Sequence, residues 1–436
     1  MRPLSRYRPA TATGQSPQRE NGAVGAALNS RDVVVVGAVV AIALGTLTAC
    51  STATPGAPGL PNGSAAVQAG PANTLTPSCP APPDPAARPP VTVAELNTLV
   101  ARVDLPGWQS ADIGASARLT DGRLVWVFGD TVREAGWRPL VVANSILVSS
   151  GRCAAQLVTP ARGPAIPDRA DGTVFWPMSL AVIRRPGADV VVVLCARIHR
   201  GTSDAFDFTY LGSSAAIFAV GTGAAPQLRE VMDLTSDASD AHQVDWGAAS
   251  VIAGDWLYVY GTRLPPGSFG RALYVARAPV ADPQTRAGWR FWDGTRWQSD
   301  RALAAPVIEA KGGVSQTLSV DVADGHFLAV SKRDGDLGDF VFTWTAPSPV
   351  GPWTPHRGIA APFEDSSGIL RYAPLAHPEI ALASGRLLVS ISRNTSDFKR
   401  LLTDPTSGRP VFAEIPWPDR AAATADTAPS GPAGMR

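Results

Sequence analysis

The sequence carries almost no net charge. Its 436 residues include 38 basic and 37 acidic side chains, a formal charge of +1. It therefore lacks the positive excess that nucleic acid or an anionic membrane surface attracts. Lysines and long stretches of helical periodicity are also scarce, whereas 41 glycines, 40 prolines and 12 tryptophans are present, and 45% of the residues are hydrophobic. This composition predicts a large core built from many short strands, and no nucleic-acid partner.

Several motifs of well-known chemistries are missing. The sequence has no GxSxG, HExxH or Walker motif, and GTGAAP at residues 221–226 breaks the dinucleotide fingerprint. No CxxC or Cys/His spacing indicates zinc. The acidic stretch DGDLGD at 334–339 lacks the spacing of an EF-hand loop, so we interpret it as a solvated turn. We therefore predict neither a metal nor a cofactor.

Residues 1–49 have the pattern of a secretory signal. An apolar run, VVVVGAVVAIALGTLTA at 33–49, follows a leader with several arginines, and the signal ends at Leu47-Thr48-Ala49-Cys50. This ending resembles the bacterial lipobox, which predicts processing at Cys50 and lipidation of its thiol. The alternative is an uncleaved N-terminal membrane anchor. Both place the rest of the chain outside the cytoplasmic membrane, as an anchored lipoprotein or a secreted protein.

Two segments have too few apolar residues to fold alone. Residues 50–90 are rich in proline, alanine and glycine and predict a disordered tether, and residues 421–436 predict a disordered tail. The domain between them, residues 91–420, begins with VTVAELNTLVARVD at 91–104. This stretch fits either a short helix or a lead-in strand.

The cysteines downstream of the lipobox bear on disulfide formation. An oxidising compartment allows three cysteines to form one disulfide and leave one free thiol. The sequence leaves the pairing open among Cys79, Cys153 and Cys195.

The body of the chain contains a repeat. Five stretches share an apolar strand, a turn with glycine, and a second apolar strand, and the turn glycines are 65, 67, 71 and 60 residues apart. Weaker strands follow each hairpin, so each repeat supplies the strands of one propeller blade. We predict an all-β, five-bladed β-propeller; a β-sandwich is the alternative, but it gives no reason for a repeated hairpin. The turn glycines are Gly122, Gly187, Gly254, Gly325 and Gly385.

The first hairpin, ADIGASARLTDGRLVWVFGDT, has an aspartate near the end of each strand. If the loop has three residues with Gly122 in the left-handed region, Asp112 lies opposite Asp130. Their Cβ atoms would then be about 4.5 to 5.5 Å apart on one face of the hairpin. A two-residue loop would instead point the two side chains to opposite faces. The candidate site therefore depends on the turn.

Two facing carboxylates suit glycoside hydrolysis, because their repulsion keeps one protonated while the other is ionised. One attacks the sugar or activates water, and the other protonates the leaving oxygen. The two groups lie about 5 to 5.5 Å apart in retaining enzymes and about 6.5 to 9.5 Å apart in inverting ones, so close pairing favours retention. The alternative is structural: Asp112 accepts backbone hydrogen bonds at a strand start, and Asp130 forms a turn with Thr131.

Polar and aromatic residues near the corresponding strand ends of the other blades would line the same pocket. Tryptophans there suit the faces of sugars, although tryptophan is more often a core residue. Glu379, which follows Pro378, is the candidate for a third carboxylate, with a strand-end ion pair as the alternative. The candidate pocket residues are Trp176, Asp245, Trp246, Gln316, His377 and Glu379.

Seven short stretches together resemble a known family. They are DIG at 112–114, VFGDT at 127–131, NSI at 144–146, WGAASV at 246–251, VYG at 259–261, HPE at 377–379 and SRN at 392–394. In this order they are similar to the domain of unknown function 4185 family, associated with bacterial endo-D-arabinanases of glycoside hydrolase family 183. The resemblance implies retaining cleavage of α-D-arabinofuranosyl linkages by two aspartates of the first blade, matched by Asp112 and Asp130. Recurrent polar positions of the family are matched by Asn144, His377, Glu379 and Asn394.

Taken with this resemblance, the sequence predicts a lipid-anchored propeller that hydrolyses internal α-D-arabinofuranosyl bonds of cell-envelope arabinan, in arabinogalactan or lipoarabinomannan. Asp130 would be the nucleophile and Asp112 the acid/base, with no cofactor. Two alternatives use the same fold. One is a glycan-binding lipoprotein without catalytic activity, and the other is a scaffold for envelope proteins, which would expose an apolar face.

Overall fold

The computed structural model describes residues 65–66, 71–79, 90–201, 207–240 and 242–418. In these residues the chain forms five antiparallel sheets, one after another in sequence. The innermost strand of each sheet packs beside those of the sheets before and after it, and the fifth sheet returns to the first. The predicted five-bladed β-propeller is confirmed. The predicted signal sequence, the lipidation site at Cys50 and the C-terminal tail lie outside the described residues.

Strands and helices are numbered in chain order. Before the ring come β1 (Ala65–Ala66), β2 (Thr74–Thr76) and α1 (Val93–Arg102). Blade 1 contains β3 (Ser110–Arg118), β4 (Leu124–Val132), β5 (Val141–Val142), β6 (Ser145–Ser150) and β7 (Cys153–Val158). Blade 2 contains β8 (Val174–Ile183), β9 (Asp189–Arg200), β10 (Phe208–Val220) and β11 (Gln227–Asp233).

The later blades are built in the same way. Blade 3 contains β12 (Asp245–Ala253), β13 (Trp256–Arg263), β14 (Ala272–Pro279), β15 (Arg290–Trp292) and β16 (Trp297–Gln298). Blade 4 contains β17 (Ser319–Ala323), β18 (His326–Lys332), β19 (Phe340–Ala346) and β20 (Thr354–Ala360). Blade 5 contains β21 (Ile369–Ala376), β22 (Leu387–Thr395), α2 (Phe398–Thr403) and β23 (Val411–Ile415). Short 3-10 turns lie at Arg286–Gly288, Arg301–Leu303 and Pro405–Gly408.

The repeat seen in the sequence is the hairpin of the two innermost strands of each blade. All five turn glycines have a left-handed backbone, with φ between 57° and 85°. Glycine adopts this conformation without the steric cost that a Cβ adds, so each hairpin can reverse within a short loop. The inner strands β3, β8, β12, β17 and β21 therefore run in the same direction. We call the rim of the ring at which they begin the mouth.

The hydrophobic core lies between neighbouring blades. Strands that are covered on both faces supply it, as with Val127 of blade 1, which packs with Val193 and Phe218 of blade 2. Similar clusters join blades 2 and 3, blades 3 and 4, and blades 4 and 5. Burying one such side chain stabilises the fold by roughly 1.5 to 3 kcal/mol. The mouth is thus framed by rigid, well-packed strands.

Helix α1 closes the ring at the three-stranded blade 5. The side-chain amide of Asn97 bonds both backbone groups of Phe412, at 2.9 and 2.8 Å, as a neighbouring strand would. The guanidinium of Arg409 donates to the carbonyls of Val100 and Ala101 at the end of the helix, where unpaired carbonyls favour a cation. The stretch 91–104 is thus chiefly a helix. Among the described helices, none is long and apolar enough to cross a membrane.

Part of the predicted disordered tether is ordered, so that prediction is wrong for two segments. Strand β1 pairs with β11 at the outer edge of blade 2, and β2 pairs with β7 at the outer edge of blade 1. A disulfide joins Cys79 to Cys153, and the free thiol of Cys195 is buried. Composition does not reveal this order, because edge hydrogen bonds and a cross-link, rather than apolar burial, hold the segments.

Candidate active site

The first hairpin has the turn on which the carboxylate pair depends. The residues that flank the loop bond across it at 2.8 Å, and Gly122 lies at φ 82°, so the loop has three residues. Ala111 then pairs with Thr131, in the register that this loop predicts. The hairpin therefore brings Asp112 and Asp130 to the mouth on neighbouring strands.

A local irregularity sets the direction of the Asp112 side chain. The ladder is interrupted on both sides of Ile113, which lies at φ 67° and is followed by Gly114 at φ 77°. A left-handed, β-branched residue costs about 1 to 3 kcal/mol and persists where its surroundings hold it. Here the hydroxyl of Ser392 accepts the Ile113 N–H at 2.9 Å. The carboxyl of Asp112 consequently lies over Gly129, where a Cβ would overlap its Oδ1.

Asp130 is bonded from blade 2. The indole N–H of Trp176 donates to its Oδ1 at 2.8 Å, and the guanidinium of Arg200 forms an ion pair with the same oxygen. The side chains of Asp130 and Arg200 are 31% and 36% exposed, so solvent reaches them. Burial raises the pKa of Asp130 above its usual value, and the Arg200 charge and the two donated hydrogen bonds offset only part of that rise.

Asp112 is bonded from blade 5 instead. The hydroxyl of Tyr372 donates to its Oδ2 at 2.8 Å, and Asn394 in turn donates to that hydroxyl at 3.3 Å. Its Oδ1 is buried and has no hydrogen-bond partner among the described residues. Burial, and then the negative charge of Asp130, raise the pKa of Asp112 to about 7. The two carboxyls of one hairpin thus have unequal surroundings.

Comparison with known proteins places this chain in a family. The family described as "Domain of unknown function (DUF5005)" matches residues 94–417. The chain belongs to this family. No curated protein matches the sequence. The resemblance of this DUF5005 member to the domain of unknown function 4185 family stays a prediction.

Three solved structures are similar to this DUF5005 member, and the first of them shares its fold. A "putative hydrolase" from Bacteroides ovatus ATCC 8483 is 16% identical, with a TM-score of 0.56, over 82% of this chain and 96% of that one. A glycoside hydrolase family 43 arabinoxylan arabinofuranohydrolase from Bacillus subtilis has 12% identity and a TM-score of 0.43, over 72% and 64%. The α-L-arabinofuranosidase PaAbf62A from Podospora anserina has 11% identity and a TM-score of 0.43, over 73% and 94%.

Asp168 is a further carboxylate near the pair, one that sequence reasoning missed. It lies in the loop between β7 and β8 of the DUF5005 domain and is exposed at the mouth. Partial desolvation raises the pKa of Asp168, the Arg200 charge lowers it and the Asp130 charge raises it, so this carboxyl responds to both charges. Its only sequence signal is an acidic residue in a loop that precedes Trp176.

Asn144 supports that loop with a buried side-chain amide. It is 1% exposed, and its amide bonds the N–H of Ile166 at 2.7 Å and the carbonyls of Ile166 and Phe175 at 3.0 Å. A buried amide with these three bonds has little capacity left for a sugar. The predicted contact with substrate is therefore wrong, and Asn144 instead fixes the loop that carries Asp168.

The candidates of blades 3 and 4 have mixed outcomes. Trp246 is 4% exposed and packs edge-on against Phe291 in the core between blades 2 and 3, so the prediction that it faces a sugar is wrong. Asp245 lies at the start of β12 and forms an ion pair with Arg271 at 2.8 Å. Burial raises its pKa to about 6, against the opposing Arg271 charge. Gln316 is half-buried near the mouth, and its role as a ligand stays a prediction.

His377 and Glu379 are not part of the mouth. The hydroxyl of Ser116 contacts both side chains, and Arg118 bonds the carbonyl of Glu379. Ser116 is four residues beyond Asp112 on β3, roughly 13 Å along the strand. The prediction that these residues line the same pocket is wrong, because they follow the inner strand of blade 5 rather than begin it. Glu379 is therefore not a third carboxylate beside Asp112 and Asp130.

Two further residues of the site escaped the sequence analysis. Arg200 ends β9, and Tyr372 lies within β21, and both reach the hairpin from neighbouring blades. The sequence did offer a signal for Arg200, which is a basic residue at the mouth end of a buried strand. Tyr372 had none, because its contact depends on how blade 5 meets blade 1. Trp176 and Asn394, which were predicted, do lie in the site, and their contact with a ligand stays a prediction.

Proposed function

We propose that this protein is a glycoside hydrolase with Asp112 and Asp130 as its catalytic pair. The observation that carries the proposal is the unequal surroundings of two carboxyls on one hairpin. Arg200 and Trp176 favour the ionised form of Asp130. Burial beside that charge favours the protonated form of Asp112. A retained proton on one carboxyl and a negative charge on its neighbour are what glycoside hydrolysis requires.

The reaction follows from these states. Asp130 attacks the anomeric carbon through Oδ2, because its described partners both bond Oδ1. The glycosidic C–O bond breaks as Asp112 gives its proton to the leaving oxygen. In the second step the ionised Asp112 takes a proton from water, whose oxygen attacks the same carbon and releases Asp130 as a carboxylate. This two-step reaction retains the anomeric configuration. The anomer that is released first therefore shows whether the enzyme follows it.

We further propose that the substrate is cell-envelope arabinan, in arabinogalactan or lipoarabinomannan, cleaved at internal α-D-arabinofuranosyl linkages. The support is the resemblance to the domain of unknown function 4185 family, whose paired aspartates match Asp112 and Asp130. Asp168, whose pKa responds to the charges of Arg200 and Asp130, is a further polar group near the pair. A polymer that lies across the mouth would contact these groups from several blades.

We also propose that the enzyme acts outside the cytoplasmic membrane, held there by a lipid on Cys50. The support is the apolar run at 33–49 and the lipobox-like ending before this cysteine. The parent protein should enter the detergent phase of a cell extract, and a Cys50→Ser variant should not show the mass of the lipidated form. Equal masses of the two mature proteins would contradict the proposal.

The test of function uses residues 51–436, which keep β1, β2 and the disulfide, incubated with purified arabinan. The parent should release short oligosaccharides, and Asp112→Asn and Asp130→Asn should release none, as sized by anion-exchange chromatography. Asp189→Asn is the matched control, because Asp189 is buried but bonds Thr120 at the far end of the hairpin. Binding without cleavage by the folded parent would favour the glycan-binding alternative, and neither binding nor cleavage would reject both.

A further inference from the structure

A chain of hydrogen bonds reaches Asp112 from blade 5. Thr395 N donates to Oδ1 of Asn394 at 2.8 Å, and Nδ2 of Asn394 donates to the Tyr372 hydroxyl at 3.3 Å. That hydroxyl lies 2.8 Å from Oδ2 of Asp112. A backbone N–H only donates, so the amide oxygen of Asn394 faces Thr395 and its NH2 group faces Tyr372. Because the hydroxyl oxygen receives that NH2 group, its own proton is left for Asp112.

The residue that pairs with Tyr372 across blade 5 also holds the backbone beside Asp112. Tyr372 pairs with Ser392 across β21 and β22, and the hydroxyl of Ser392 accepts the N–H of Ile113 at 2.9 Å. The register breaks directly after Tyr372, where Ala373 lies at φ 43°. A non-glycine residue in this region is strained and marks a position that the surroundings define. One cross-strand pair, Tyr372 and Ser392, therefore fixes both the carboxyl of Asp112 and the adjoining backbone.

Besides Tyr372, the backbone N–H groups of Asp112 and Asp130 favour the ionised form of this carboxyl. Among the described residues, the titratable groups that face Asp112 are Asp130 from β4 and Tyr372 itself from β21. Strand β22 contributes the neutral side chains of Ser392 and Asn394. Among the described side chains only the Tyr372 hydroxyl donates to this carboxyl, so its removal leaves no side-chain donor to replace it.

We propose that Tyr372, oriented by Asn394, is a positioning residue that holds Oδ2 of Asp112 and stabilises the ionised form of this carboxyl. The inference rests on the proposed function. In a retaining reaction the acid of the first step becomes the base of the second, so its ionised form has to be reached. Burial and the charge of Asp130 oppose that form, and a donated hydrogen bond favours it. Tyr372 therefore helps to keep Asp112 ionised between the two steps, the state this carboxyl needs before it can take a proton from water.

The test compares Tyr372→Phe with the parent protein in two assays. In NMR titrations with isotope-labelled aspartate carboxyls, the signal that Asp112→Asn lacks should titrate about 1 to 2 pH units higher in Tyr372→Phe. In kinetics with an activated arabinofuranoside, kcat should fall more than kcat/KM, with a burst of leaving group, because the second step becomes limiting. Asn394→Ala should shift the titration in the same direction by a smaller amount.

Tyr260→Phe is the matched control. Its hydroxyl is buried in blade 3 and donates to the carbonyl of Pro349 at 3.1 Å, so its loss should leave both readouts of Asp112 unchanged. A folded Tyr372→Phe protein with an unchanged or lower Asp112 titration overturns the inference. If that variant does not fold, an unshifted titration in Asn394→Ala overturns it instead. A parent that cleaves no glycan rejects the proposed function, while the NMR titration still decides the role of Tyr372.

Discussion

Replacing Asp112 with asparagine should change how the stability of the propeller depends on pH. The pKa of this carboxyl rises from 3.8 to about 7 in the folded protein, through burial and the charge of Asp130. The folded state therefore holds a proton that the unfolded chain releases. Stability from this group is fully present below about pH 4 and is lost as the pH rises through about 7. Asp112→Asn removes the titrating group and with it this dependence.

The magnitude follows from the size of the shift. A rise of about three pKa units corresponds to on the order of 4 kcal/mol, of which about 3 kcal/mol is lost above pH 5. The change belongs to the carboxyl pair, because Asp130 shares the titration. The asparagine should also lower the unfolding free energy by about 1 to 3 kcal/mol at every pH. One polar group of its side-chain amide would lie where Oδ1 of Asp112 has no hydrogen-bond partner among the described residues.

Urea unfolding of the parent and Asp112→Asn, near pH 5 and near pH 8, measures this difference. The variant should be the less stable protein near pH 5. Near pH 8 the parent should have lost about 3 kcal/mol of unfolding free energy relative to the variant, so the difference between them narrows or changes sign. Other carboxyls with raised pKa values, such as Asp245, titrate in both proteins and cancel in the comparison. A stability difference that stays constant between the two pH values would refute the argument that Asp112 is protonated near neutrality.

Three further changes test other parts of the structure. Arg200→Gln removes the cation that opposes the raised pKa of Asp130, so the acid limb of the pH–activity profile should move to higher pH. Gly129→Ala places a Cβ against Oδ1 of Asp112, and activity should fall by about 100-fold or more while the melting temperature changes by only a few degrees. Cys153→Ser opens the 74-residue disulfide loop and should cost up to about 4 kcal/mol of unfolding free energy, with kcat unchanged.

The fold could be predicted because its signal is local and repeated. Each hairpin shows its strands by alternation and its turn by a glycine, and five such hairpins at similar spacing leave the propeller as the simplest arrangement. The same local logic placed Asp112 beside Asp130, since a three-residue loop sets the register of the whole hairpin. Neither prediction requires knowledge of contacts between residues that are far apart in the sequence.

Contacts between blades could not be predicted in this way. Arg200 is 70 residues from Asp130 in sequence, and Tyr372 is 260 residues from Asp112. The error at Glu379 came from the strand boundary, because the pattern around Pro378 reads equally as a start or an end. Trp176 and Trp246 both begin inner strands, and packing alone decides that only Trp176 reaches the site.

The position of blade 1 in the ring explains why its two aspartates differ. Taken alone, the hairpin is nearly symmetric in chemistry, with one carboxyl on each strand. Blade 2 lies on one side and gives Asp130 a guanidinium and an indole N–H, whereas blade 5 lies on the other and gives Asp112 a neutral hydroxyl. Ring closure thus gives the two carboxyls of one hairpin different hydrogen-bond partners. A hairpin of the same sequence outside this ring would keep the two aspartates on neighbouring strands and lose these different partners.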